Sequence, residues 1–97
     1  MLHTDDLFLA ALGLVRGGEL QGTEVRGTNG RRVAVFRIAG PDMDAVERDY
    51  YRGSSLVNLR LLKSEVVRLK NLAFQALREE ESRDASYEGR YRPHPQR

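Results

Sequence analysis

The feature that most constrains the fold is a long helical pattern over residues 57–80. The apolar residues that recur there at alternating steps of three and four are Leu59, Leu62, Val66, Leu69, Ala73 and Ala76. This spacing places one apolar side chain per turn on the same face of an α-helix. A second apolar line, formed by Leu61, Val67, Leu72, Phe74 and Leu77, makes the helix broader than a two-stranded coiled-coil seam. The pattern predicts a central helix against which the other elements pack.

An Asn-Gly pair at residues 29–30 predicts a β-hairpin between segments 19–26 and 31–38. Both residues tolerate the positive φ that a tight hairpin turn requires. A two-residue loop at this position pairs Thr28 with Arg31, Val25 with Ala34, and Thr23 with Phe36.

This register divides the hairpin into two faces. Phe36 and Ile38 lie on the face that we expect to be the core side. The opposite face carries Glu24, Arg26, Val33 and Val35. Because two apolar β-branched residues stand on that face, we expect another element or another subunit to cover it.

Two shorter helices are predicted on either side of the hairpin. Thr4, followed by two aspartates and an apolar run, indicates a helix over 4–16 that Gly17 and Gly18 end. Residues 40–42, Gly-Pro-Asp, indicate the start of a helix that runs to about Tyr51. Its predicted buried stripe is Met43, Val46 and Tyr50.

We therefore expect a single small α+β domain with the order α-β-β-α-α, in which the β-hairpin packs on the helices. The predicted domain covers residues 1–81. Residues 82–97 contain two prolines, a glycine and no aliphatic residue larger than alanine. That composition offers little to bury, so this segment is predicted to be a disordered basic tail.

Composition limits the setting of the chain. There is no cysteine, which excludes disulfides and thiolate metal sites. The longest apolar run, Leu7 to Val15, is far shorter than the roughly 20 residues of a membrane span, and aspartates precede it where a signal peptide would be positive. We expect a cytoplasmic protein with no membrane partner.

The chain offers few groups for catalysis. Its two histidines, His3 and His94, stand alone near the two ends. The acidic residues Asp42, Asp44, Glu47 and Asp49 fall on different edges of the predicted helix and do not converge on one cation. We therefore expect no catalytic residue, no metal site, no cofactor and no enzymatic activity.

Positive charge is concentrated in two segments of a chain whose net charge is only +2. Residues 16–37 carry five Arg against two Glu, and residues 52–70 carry five Lys or Arg against one Glu. The candidate nucleic-acid-binding residues are Arg26, Arg31 and Arg32 at the hairpin tip, Arg60, Lys63 and Lys70 along the last helix, and Arg90, Tyr91 and Arg92 in the tail. The alternatives are a solvated turn, cations that flank a core helix, and a tail without a role.

Over residues 4–77 the chain resembles a small domain of unknown function found in phage and bacterial proteins. The residues that carry the resemblance are 6–11, Gly18, 32–36, 49–53 and Val57-Asn58. The resemblance implies a phage or mobile-element setting and no catalytic residues. Its matched polar residues are Tyr50, Tyr51 and Asn58, and one of the two tyrosines is expected in the core with its hydroxyl at the edge of the domain.

Two functions follow from these patterns. The first is a non-catalytic accessory protein that associates with nucleic acid through its basic segments. The alternative is a protein–protein interaction module that inhibits or recruits a host enzyme. A homodimer through the Val33/Val35 face or the surplus leucines of the last helix is also expected. One continuous basic face would favour the first function, and scattered arginines beside an exposed apolar patch would favour the second.

Overall fold

A computed structural model describes residues 1–28 and 30–89, without the side chains of Thr28 and residues 81–89. The elements in chain order are β1 (Leu2–Thr4), α1 (Leu7–Val15), β2 (Glu19–Thr28), β3 (Arg31–Ala39), α2 (Met43–Arg52) and α3 (Leu59–Gly89). The predicted α+β class is confirmed. The predicted helix, hairpin and two helices follow in order, and one strand precedes them.

The hairpin has the predicted register. Thr28 pairs with Arg31, Val25 with Ala34, and Thr23 with Phe36. Gly30 adopts a φ of 77°, which is the left-handed conformation that the turn requires. Asn29, the other predicted turn residue, lies outside the described residues.

The sheet has three strands, in the order β1-β3-β2, which is one strand more than the predicted hairpin supplies. Leu2 pairs with Ile38 and Thr4 with Phe36, and both pairings are antiparallel. A three-residue strand is too short to show an alternating pattern, and it forms because β3 supplies its hydrogen-bond partners. Helix α1 consequently begins after Asp6, whereas the sequence indicated a cap at Thr4.

The core lies between one face of the sheet and the three helices. Phe36 and Ile38 are on this face, as predicted. The largest fully buried side chains are Phe36, Leu9, Ile38, Leu69 and Val46. They come from β3 and from all three helices, so no pair of elements completes the core alone.

Helix α3 packs on the core through the predicted stripe. Leu69 is fully buried, and Leu62, Val66 and Ala73 pack against it or its neighbours. Leu59 is an exception, because at the first turn of the helix it extends past the core and is 75% exposed. No helix in the described part of the chain has the length and apolar character needed to cross a membrane.

Helix α3 continues to Gly89, eight residues into the segment that the sequence predicts to be a tail. After Gly53 the chain contains no glycine or proline until that position, so nothing interrupts the helix. Each added residue also gains one backbone hydrogen bond at no new nucleation cost. The remainder of the predicted tail, residues 90–97, lies outside the described residues.

Val35, on the outer face of the sheet, has charged neighbours on strands β2 and β3. Val35 is only 8% exposed. Glu24 stands opposite it and lies 3.0 Å from the guanidinium of Arg26 and 3.7 Å from that of Arg37. Long side chains can cover apolar neighbours with their aliphatic stems. Val35 is therefore buried within the single chain, and its burial does not require a second subunit.

Candidate binding surfaces

An apolar groove opens where the start of α1, the end of α2 and the start of α3 meet. Its volume is about 370 Å³. The residues that line it are Phe8, Leu12, Tyr50, Ser55, Val57 and Leu62. We call this set the apolar groove. The buried Ser55 hydroxyl has no hydrogen-bond partner among the residues that the structure describes, and such a group costs about 1–3 kcal/mol while it stays unpaired.

Large apolar side chains stand exposed around the groove. Leu56 is 90% exposed and Leu59 is 75% exposed, and Tyr51 and Phe8 are also exposed. Scattered exposed leucines are normal on protein surfaces, but a contiguous group beside a groove indicates a binding site.

Local sequence places these residues at the rim. Gly53 ends α2 in the left-handed conformation, with a φ of 72°. Asn58 begins α3, because its Oδ1 accepts hydrogen bonds from the backbone N–H groups of Arg60 and Leu61 at 2.9 and 3.1 Å. The connection between these two caps is short, so Ser55 and Val57 turn inward and Leu56 turns outward. Leu56 could not be predicted from the sequence, because it belongs to no periodic segment.

A hydrogen bond between α1 and α2 fixes one wall of the groove. The Tyr50 hydroxyl donates to Asp6 Oδ2 at 2.8 Å. Asp6 Oδ1 accepts from the backbone N–H groups of Phe8 and Leu9, so Asp6 also caps α1. The hydrogen bond to Asp6, burial and the negative charge of Asp6 raise the pKa of Tyr50 to about 12. Tyr50 is therefore the half-buried tyrosine, and Tyr51 is the exposed one.

The hairpin-tip arginines are exposed, but two of them have acidic neighbours. Arg26 donates two hydrogen bonds to Glu24 Oε1, at 3.0 and 3.2 Å. Arg32 lies 4.0 Å from Glu80 of α3. Exposed ion pairs of this kind are weak, but they reduce the local positive charge that a phosphate would meet. Arg31 is exposed at the same tip.

The cations predicted on the last helix share one edge of α3. Arg60, Lys63 and Lys70 are exposed, and Val67 and Phe74 continue the same line at steps of three and four. The Lys70 ammonium lies 6.0 Å from the centre of the Phe74 ring. We call these five residues the cationic edge of α3. The remaining candidates, Arg90, Tyr91 and Arg92, lie outside the described residues.

The two basic segments do not merge into one face. Arg32 contacts α3 at Glu80, which is 10 residues from Lys70 and 20 from Arg60, and therefore about 15–30 Å from these cations along the helix axis. Arginines are thus distributed over separate parts of the surface. Four exposed apolar residues, Phe8, Tyr51, Leu56 and Leu59, lie in or next to the segments that form the groove, whereas Val67 and Phe74 are exposed on the cationic edge. Scattered arginines beside exposed apolar residues favour a protein partner over a nucleic acid.

The acidic residues of α2 do not form a cation site. Asp49 lies 3.9 Å from the guanidinium of Arg16, whereas Asp42 and Asp44 are exposed near the start of the helix. In residues 1–28 and 30–89 there is no group of three or more His, Cys, Asp or Glu side chains that could hold a metal ion.

Comparison with known proteins gives no relative for this chain. No protein-family model, curated protein or solved structure matches it. The resemblance to a phage domain therefore stays a prediction, and so does the setting that it implies.

Proposed function

We propose that the protein is a non-catalytic binding protein that holds an apolar segment of a protein partner in the apolar groove. The observation that carries this proposal is the group of exposed apolar side chains around a preformed, largely apolar groove. In the mobile-element setting that the resemblance implies, the partner is a host protein that is inhibited or recruited.

The residues around the groove indicate which side chains a partner segment should carry. Burying a large apolar side chain contributes about 1.5–3 kcal/mol, so Leu56 and Leu59 together supply substantial affinity when a partner covers them. The Ser55 hydroxyl gains a partner if the bound segment brings a backbone carbonyl or amide near it. Arg52 is exposed in the last turn of α2, next to the segment that lines the groove. The expected partner segment therefore carries two or three apolar anchors with acidic residues beside them.

Selection from a displayed library of random peptides tests this function. We expect selected peptides to carry apolar anchors at helical or alternate spacing and to bind with micromolar affinity. Leu56→Asp and Phe8→Asp should each weaken binding by at least about tenfold, because each places a carboxylate in a contact that excludes water. Isothermal titration calorimetry measures these affinities.

Val67→Asp is the matched control, because it makes the same kind of change at an exposed apolar residue of the cationic edge. It should leave peptide affinity within about twofold. If the selected peptides bind the groove variants and the wild type equally well, or if selection enriches no peptide, the proposal is wrong.

Nucleic-acid association is the second candidate function, and the cationic edge of α3 favours it. Arg60, Lys63 and Lys70 project from one helix at spacings that can follow a phosphate backbone. The hairpin tip adds Arg31, and residues 90–92 add two further arginines and a tyrosine.

A salt titration of oligonucleotide binding tests the second function. If the three cations of α3 each neutralise one phosphate of double-stranded DNA, the log–log slope should be about −2.7, and replacement of all three by alanine should remove most of it. Arg48→Ala, an exposed arginine of α2, is the control and should leave the slope unchanged. Absence of binding at low salt excludes this function for the full chain.

A further inference from the structure

Helix α3 has an unusual distribution of charge along its 31 residues. Its first twelve residues, 59–70, carry four Lys or Arg against one Glu, a net charge of +3. Its last twelve, 78–89, carry two Arg against five Asp or Glu, a net charge of −3. The seven residues between them, 71–77, carry no charge. The two charged halves are thus equal in length and opposite in sign about a midpoint at Phe74.

The stability of the helix itself does not account for this pattern. A helix has a partial positive charge at its N-terminus and a partial negative charge at its C-terminus, so acidic residues are favoured first and basic residues last. The order in α3 is the reverse, with no acidic residue in the first turn and no basic residue in the last turn. The pattern therefore opposes the helix dipole and requires another explanation.

We propose that two copies of this chain associate through α3, with the helices antiparallel and centred on Phe74. In that arrangement residues 59–70 of each copy lie beside residues 78–89 of the other. Both ends of the contact then bring a segment of +3 against a segment of −3, and the two helix dipoles also oppose each other. A parallel pair would instead place like charges side by side.

The exposed surface of α3 is suited to this contact. The cationic edge is the line Arg60, Lys63, Val67, Lys70 and Phe74, at the steps of three and four that antiparallel helices use to pack. Phe74 is 53% exposed in a single chain although it stands at the centre of the helix. Leu62 and Leu69 pack on the rest of the domain, so the cationic edge faces away from that contact.

Charge and apolar contact have different roles in the dimer. Exposed ion pairs contribute little individually, so the central apolar contact supplies most of the affinity. The opposed charges determine the antiparallel orientation and exclude the parallel one. Because the Debye length falls from about 30 Å at 0.01 M to about 3 Å at 1 M salt, the dimer should weaken as salt is added.

A charge-exchange experiment on the full chain tests the interface. The first variant, Arg60→Glu/Lys63→Glu/Lys70→Glu, makes both halves of α3 negative. The second variant, Glu81→Lys/Asp84→Lys/Glu88→Lys, makes both halves positive. Its three positions follow Leu77 in the sequence at steps of four, three and four. Sedimentation velocity at about 100 μM protein and low salt should show a wild-type dimer, two monomeric variants, and a heterodimer when the variants are mixed.

The matched control is Arg31→Glu/Arg48→Glu/Arg52→Glu, which changes net charge by the same amount at exposed residues outside α3. It should remain dimeric. A monomeric wild type overturns the proposal, and so does a dimer of either α3 variant alone or a mixture that stays monomeric. Heterodimer formation on mixing also shows that neither variant failed to fold.

This inference does not rest on the apolar groove. The dimer uses the cationic edge of α3, whereas the groove is formed by residues 8–12, 50–57 and Leu62. Loss of peptide binding in Leu56→Asp with the dimer intact, and loss of the dimer with peptide binding intact, are therefore separate results. A dimer would also engage Arg60 and Lys63, which reduces the charge available to nucleic acid.

Discussion

Phe36→Ala should lower the free energy of unfolding by about 3–5 kcal/mol. Phe36 is 1% exposed on the central strand of the sheet, where it pairs with Thr4 on one side and Thr23 on the other. Removing its ring leaves a cavity between the sheet and the helices that neighbouring side chains fill only in part. Since a domain of this size is stabilised by about 5–15 kcal/mol in total, the variant loses a large share of its stability.

Phe74→Ala provides the matched comparison, because it removes the same ring from a half-exposed position. The expected change is within about 0.5 kcal/mol. Urea unfolding followed by circular dichroism measures both values, at a protein concentration low enough that self-association does not contribute. Equal losses for the two variants would show that the core is not organised around β3.

The parts of the fold that depend on local chemistry could be predicted from the sequence. Asn29-Gly30 determines a hairpin register because a two-residue turn leaves one way to pair the strands. Gly53 likewise ends α2, because it takes the left-handed cap conformation. In both cases a few adjacent residues determine the geometry, so no knowledge of the rest of the chain is needed.

The parts that depend on distant residues could not be predicted. Strand β1 exists because β3 offers an unpaired edge to Leu2–Thr4, and three residues carry no pattern of their own. Arg32 lies beside Glu80, a residue 48 positions away, so the sequence showed the cation without its neighbour. The apolar groove depends on three elements meeting, and Leu56 at its rim belongs to none of them.

Asp6→Ala should lower the free energy of unfolding by about 2–3 kcal/mol, because Asp6 has two roles. Its loss leaves the first turn of α1 without a cap, which costs about 0.5–2 kcal/mol. It also leaves the Tyr50 hydroxyl without its acceptor, at a cost of about 1 kcal/mol or more. Tyr50→Phe removes only the second interaction and should cost about 1 kcal/mol, and Asp6→Asn preserves the cap.

The same pair makes stability depend on alkaline pH. The pKa of Tyr50 is about 12 in the folded chain and about 10 when unfolded. The folded state binds the Tyr50 proton more tightly than the unfolded state does. The stabilisation that comes from this difference is therefore fully present below pH 10 and is lost as the pH rises towards 12.

Urea unfolding between pH 8 and pH 12 measures this dependence. The decline above pH 10 should be smaller in Tyr50→Phe, which has no hydroxyl to ionise, than in the wild type. It should also be smaller in Asp6→Asn, because without the charge of Asp6 the pKa of Tyr50 falls towards its ordinary value. Absorbance at 295 nm should show the most alkaline tyrosine ionisation disappear in Tyr50→Phe. If wild type and Tyr50→Phe lose stability in parallel above pH 10, the Asp6–Tyr50 hydrogen bond does not hold α1 against α2.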